Sequence, residues 1–263
     1  MRAFSVSLIL LILSYANTVH SQEDGASINA KMMINIGMAF LNQGKYLEAI
    51  QAFEKALKIG EKDNNREIQF LSLAGIGRVY DYTGKPDEAI IYYDKAIKYA
   101  GSDEEKALIY NNLGMAYDDK GDYDKAIEYY KKALDIFLKV YESQNGIHPS
   151  VATTYNNLGV AYYHKRDYDR AIVYYNEALV IFLKVYGIHP YVATIYDNLG
   201  AAYYNECSID EAEEYHKKAL DIFRKVYKSQ IKYPKDGVEI IEDIRKSIFK
   251  TSTEKEQILF MEK

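Results

Sequence analysis

The 263-residue chain has one cysteine, no tryptophan, four prolines and five histidines. A single thiol excludes an intrachain disulfide framework and any cysteine-built zinc site. So few prolines, with no glycine period, exclude a collagen-like chain. Positive charge is not in excess: 33 Lys and Arg face 38 Asp and Glu, a formal charge of -5. No global basic field is offered to nucleic acid. Nothing resembles HExxH, GxSxG or a phosphate-binding loop, and no Cys/His pair suits nucleophilic catalysis. No catalytic residue, metal site or cofactor is expected, and the chain reads as a non-enzyme. What is present is 48% apolar residues, too many for a disordered tail, and 27 tyrosines.

The first 21 residues read as a targeting segment. Arg2 supplies a positive start, Phe4 to Leu13 is apolar apart from Ser5 and Ser7, and Val19-His20-Ser21 offers small or β-branched residues at -3 and -1. This is a secretory signal pattern, with cleavage expected after Ser21. The apolar run falls short of the ~20 residues a spanning helix needs. An exported chain, periplasmic or secreted, with no membrane insertion after cleavage, is therefore expected. An uncleaved, membrane-tethering segment is the alternative.

From there the chain repeats. Gly37, Gly77, Gly114, Gly159 and Gly200 each follow a large apolar residue and precede an aromatic by three places. Twelve residues after each glycine stands an alanine (Ala49, Ala89, Ala126, Ala171, Ala212), and seven beyond that another (Ala56, Ala96, Ala133, Ala178, Ala219). Between the alanines lies an aromatic at Phe53, Tyr93, Tyr130 and Tyr175, replaced by His216 in the last copy. Spacings of three and four mark one helical face. Each block therefore reads as two helices and a turn, for example Lys106–Asp119 and Tyr123–Tyr141. Gly44, Gly84 and Gly121 sit where a first helix should end, and Pro86 where a second should begin. Arg166 and Cys207 take the turn glycine's place in the last two copies. The small residues admit a close helix approach, and one hairpin cannot bury its apolar face alone, so the blocks must stack.

The pattern resembles the tetratricopeptide repeat. Copies three to five resemble the longer, kinesin-light-chain-like type, marked by His148-Pro149 and His189-Pro190 leading into Tyr-Asn-Asn-Leu-Gly or Tyr-Asp-Asn-Leu-Gly. The resemblance implies an all-α, right-handed α-solenoid of five hairpins. Repeats fall near 28–62, 68–101, 106–142, 150–186 and 191–228, within a solenoid spanning 22–233. After the Tyr233-Pro234 break, Val238, Ile241, Ile244 and Ile248 share one helical face, which predicts a capping helix over 234–250. A loose tail, 251–263, follows.

Several chemical candidates have plain readings. His148 and His189 precede proline at equivalent places, which points to helix-entry geometry. His216 is expected to pack. Cys207 is a free structural thiol or the donor of an intermolecular disulfide. Asp118, Asp119, Asp122 and Asp124 read as a solvated acidic turn, since their spacing does not fit a calcium loop. Most tyrosines fall on repeat core positions. Tyr92, Tyr129, Tyr163, Tyr174 and Tyr204 face elsewhere and are freer to bind.

The resemblance further implies that the first helices line a concave groove for a peptide or protein. Carried over position by position, the groove residues are Asn35, Arg78, Asn111, Asn112, Asn156, Asn157, Tyr163, Asn198 and Tyr204. Asparagine is a poor helix former, so its return in four first helices suggests a purpose. Its carboxamide both donates and accepts, which suits clamping a peptide backbone; a bond to the neighbouring repeat's backbone is the alternative. With Arg78 the one basic residue, no clamp for a terminal carboxylate is expected. Two functions remain: a non-catalytic interaction scaffold, or a structural protein that self-assembles into a homo-oligomer through the solenoid ends or the C-terminal tail.

Overall fold

The computed structural model describes residues 25–227. The expected leader, the predicted capping helix and the expected tail lie outside them. Ten α-helices follow one another among the described residues, with no strand, so the chain is an all-α solenoid. They are α1 (Gly25–Asn42), α2 (Tyr46–Lys62), α3 (Arg66–Tyr82), α4 (Pro86–Ala96), α5 (Asp103–Asp119), α6 (Tyr123–Val140), α7 (Pro149–His164), α8 (Tyr168–Tyr186), α9 (Pro190–Asn205) and α10 (Ile209–Tyr227). Odd helices are the first members of hairpins, even helices the second.

One turn closes all five hairpins. The residue seven places after the repeat glycine takes a left-handed conformation: φ is 72° at Gly44, 66° at Gly84 and 81° at Gly121, but also 62° at Arg166 and 63° at Cys207. The next residue's N–H donates back to the carbonyl of Phe40, Tyr80, Tyr117, Tyr162 or Tyr203, satisfying a helix-end acceptor. Helix starts are equally local. Ser102 and Glu105 form a reciprocal capping box, which begins α5 three residues earlier than the periodicity predicts. At α7 and α9 the Nδ1 of His148 and His189 accepts the N–H of Ser150 and Tyr191, and proline follows at the first helical position. The two histidines are thus helix caps.

The repeat glycine and the second-helix aromatic form the core of each hairpin. A Cβ on Gly114 or Gly159 would stand 2.5 Å from the ring of Tyr130 or Tyr175. Phe53 is wedged between two glycines, Gly37 and Gly75, of successive repeats. His216 lies over Gly200 in the same way, but its ring is largely exposed and bonded to Asp197. The expected packing is therefore half met, because among the described residues no sixth hairpin covers it.

Three of the five tyrosines expected to be freer are stacked instead. Tyr92 lies on Tyr80, Tyr129 on Tyr117, and Tyr174 on Tyr162, with ring centroids 5.3–5.4 Å apart. Each such pair joins the two helices of one hairpin, worth about 1 kcal/mol beyond area burial. Lys95 and Lys132 stand over the outer rings.

Consecutive first helices touch along the whole described chain, whereas consecutive second helices do not. The first helices therefore form the shorter, inner arc of the stack. Whatever side chains they do not use against their own partners face that arc.

Candidate functional site: the inner arc of first helices

On α5, Leu108, Asn111, Asn112, Met115, Asp118 and Asp119 recur at intervals of three and four and share one face. The corresponding residues of α3 include Ala74, Gly75, Arg78, Asp81 and Tyr82. Those of α7 include Asn156, Asn157, Val160, Tyr163 and His164.

The asparagines link repeat to repeat through side chains rather than through backbone. Asn157 Nδ2 donates to Asn111 Oδ1 at 3.3 Å, and Thr154 Oγ1 donates to the same oxygen. One repeat on, Asn198 Nδ2 donates to Asn156 Oδ1 at 2.9 Å. The residue two before one glycine thus grips the residue three before the previous glycine. Each bond is worth about 1 kcal/mol and fixes the angle between repeats. The pattern skips the second repeat because Gly75 stands there, and the ring of Phe53 fills its place. Asn112, half-buried, and Asn35, exposed, make no hydrogen bond among the described residues.

The other expected residues lie on the same arc. Arg78 is half-buried, with Nη1 4.0 Å from Met38 Sδ. Tyr163 accepts a bond from Asn205 at 2.9 Å, and Tyr204 is exposed. Of the carboxylates one turn after the glycines in repeats two and three, Asp81 escapes the sequence reading and Asp118 is read only as part of an acidic turn, although the same column yields Tyr163 and Tyr204. Asp81 Oδ2 accepts from the buried Tyr93 hydroxyl, while its Oδ1 is shielded from solvent and has no partner. Burial is the main cause that raises the Asp81 carboxyl to about 7, and the nearby Asp119 adds to it.

Nor is the acidic turn simply solvated. Asp118 faces His164 of the next repeat at 3.1 Å; burial raises its carboxyl, and the histidine opposes the rise. Asp122 caps α6, and Asp124 pairs with Lys165. Asp119 is the member left exposed without an ion pair among the described residues. No group of three or more His, Cys, Asp or Glu suited to a metal ion occurs among the described residues. No described helix is long and apolar enough to cross a membrane. A shallow depression of about 700 Å³ is lined by Lys165, Arg166, Asp167, Tyr168, Asp169 and Glu206.

No curated protein matches the chain. Among solved structures, BtubC (BKLC) from P. vanneervenii is similar at 25% identity, covering 80% of this chain and 85% of that one, with a TM-score of 0.68. A putative kinesin light chain with TPR-like repeats from Podospora anserina shares the fold at 20% identity, 78% and 99% coverage and a TM-score of 0.63. MamA is similar at 28% identity, covering 73% of this chain and 97% of its own, with a TM-score of 0.53. One family model described as tetratricopeptide repeat matches residues 29–102 and 150–225, and a second of the same description matches 107–137. With its hairpins, glycine–aromatic contacts and recurring turns, the chain belongs to the tetratricopeptide-repeat family.

Proposed function

We propose that the protein is an exported, non-catalytic scaffold that holds a peptide or protein partner against its inner arc. The observation that carries this reading is Asn112. Its carboxamide sits among first-helix side chains, half-buried and unbonded, where its neighbours Asn111 and Asn157 are engaged with each other. A polar group so placed is stabilised by a ligand's backbone at little cost in reorganisation. Export rests on the leader pattern alone. Similarity to other repeat solenoids supports a role in protein association without naming the partner.

Asn112→Ala separates binding from folding. Because the amide has no internal bond, the thermal midpoint should stay within about 2 °C of the parent. Partner recovery from the envelope or secreted fraction, read by crosslinking and mass spectrometry, should fall. Unchanged recovery would refute inner-arc binding. Amino-terminal sequencing of the exported chain should begin at Gln22; a retained leader would favour tethering.

Self-assembly has its own support. Ile28 and Met32 on α1, and Ile209 and Leu220 on α10, leave large apolar side chains exposed at the two ends of the described stack. Concentration-dependent light scattering tests it, and a monomer throughout would dismiss it.

A further inference from the structure

We infer that the inner arc between α3 and α5 docks a cationic segment of a partner protein, one in which Lys or Arg side chains alternate with apolar ones. This deepens the scaffold reading and rests on it. Charge comes first. On this stretch Arg78 is the one cation, and its guanidinium lies against Met38 Sδ. Against it stand Asp81, Asp118 and Asp119. Asp118 is occupied by His164, but Asp81 keeps one oxygen shielded from solvent and unbonded, and Asp119 has no ion pair among the described residues. The shielded oxygen is beyond a ligand's reach, but the negative potential of Asp81 and Asp119 draws an ammonium or guanidinium to the exposed Asp119 carboxylate. An acidic segment would meet the exposed Asp119, and Asp81 in its ionised fraction, beside a single arginine, so it is disfavoured.

The lining between the charges is apolar and open. Tyr82 is 62% exposed, Leu108 43% and Met115 40%, on the same faces as the carboxylates. Apolar side chains left uncovered beside unmatched charges of one sign suit a ligand that carries both complements. Asn112, in the midst of them, is free to bond that ligand's backbone.

The test uses the whole chain and two labelled peptides of about 12 residues, one alternating Lys with Leu and Ser, the other with Glu in place of Lys. Fluorescence anisotropy at near-physiological salt should show the basic peptide binding at least about tenfold more tightly. The double variant Asp81→Asn/Asp119→Asn should lose about tenfold for the basic peptide. Glu128→Gln/Asp135→Asn, which removes the same charge from the outer helix α6, should lose little. Circular dichroism checks that both variants are folded.

Equal affinity for the two peptides, equal loss in both variants, or no binding of the basic peptide at about 1 mM would overturn the inference. A photocrosslinker on the basic peptide separates the two levels of the claim. Crosslinks on α3 and α5 are expected, and crosslinks confined to the even helices would overturn the inner-arc reading as well. Tight binding of the acidic peptide, lost in Asn112→Ala, would overturn the charge assignment and leave the inner arc standing. An oligomer of the chain that the basic peptide disperses would make a second copy the occupant, and would also overturn the inference.

Discussion

The seam between the third and fourth repeats and the seam between the fourth and fifth are made from the same words in the sequence. Each runs from Ile-Phe-Leu-Lys-Val-Tyr to Gly-Ile-His-Pro, and the first differs by four added residues, Glu142 to Asn145. Those four form a short 3-10 turn that ends in left-handed Asn145 and Gly146. The turn folds Ile147 against the core and stacks Tyr141 on His148 with centroids 3.6 Å apart. Tyr141 is 8% exposed and donates to Glu104; burial, with that carboxylate, pushes its hydroxyl up to about 12. In the shorter joint, Tyr186 is 38% exposed and Ile188 60%, with Tyr186, His189 and Tyr191 gathered at the surface. Two further contacts divide the same way. Lys165 reaches back to Asp124 across the first seam, as Lys120 does to Asp87 one repeat earlier, whereas Glu206 occupies the equivalent place in the second and meets Asp169. The repeat motif therefore sets where neighbours stand, and the residues between motifs decide how firmly they are held.

The sharpest way to break the comparison is to crowd the two repeat glycines. A Cβ on Gly159 meets the buried ring of Tyr175 at 2.5 Å, and close packing leaves the ring nowhere to go. Gly159→Ala should destabilise by about 2–3 kcal/mol despite alanine's better helix propensity. On Gly200 the new Cβ meets His216, whose ring can swing outward, so Gly200→Ala should lie within about 1 kcal/mol of the parent. Urea unfolding midpoints decide it. Equal losses would mean that the fifth hairpin is packed as tightly as the fourth.

Deleting residues 142–145 turns the long joint into a copy of the short one. Uncovering Tyr141 and Ile147 should cost about 2 kcal/mol, and chymotrypsin should begin to cut at Tyr141. If stability is unchanged, the added turn is not what closes the seam.

Much of this architecture is legible in the sequence because its causes are local. The five glycines, the alanine pairs and the Ala-x-x-x-aromatic spacing carry the hairpins, and Pro86 marks a helix start by its missing N–H. The inner arc is less legible. Asn111 and Asn157 are 46 residues apart, as are Asp118 and His164, and nothing local says that they touch. Gly75 reads as a gap in the asparagine series until Phe53 is seen occupying it. The paired tyrosines read as spare binding groups because position along one helix does not reveal the partner helix's ring. Asn112 reads as one more member of the asparagine series, and Asp81 does not stand out at all, for the opposite reason: what distinguishes them is a missing partner.

A smaller effect should be equal on both sides. Arg166 and Cys207 hold φ near 62° without being glycine, a conformation in which a Cβ is crowded by the backbone. Arg166→Gly and Cys207→Gly should each stabilise by about 1 kcal/mol, since the turn is already set by the 6→1 hydrogen bond. A gain at Arg166 alone would show that the fifth turn can relax by itself. That outcome would add another difference between the seams.

The finest distinction is electrostatic. Partial burial and the hydrogen-bonded Asp169 carboxyl hold Glu206 above the ordinary glutamate range. The folded chain then binds a proton more tightly than the unfolded chain. Stability from this site is whole below the unfolded value and is lost as pH rises through the folded one. Glu206→Lys replaces the repulsion with the Lys–Asp bridge of the other seams. It should therefore stabilise at pH 7 by about 0.5 kcal/mol, a figure already discounted for solvent screening at this accessible edge. The gain should shrink in acid, where the wild-type Glu206 is protonated, and in high salt, where the new bridge is screened. Lys165→Glu is the mirror experiment: it places two acids across the tighter seam and should lose a similar amount, most visibly above neutral pH. Urea midpoints of both variants across pH 4.5 to 7.5 measure the difference directly. A Glu206→Lys gain that does not change with pH would mean that the like-charged pair is not what loosens the last repeat, and would leave the missing four-residue turn as its physical cause.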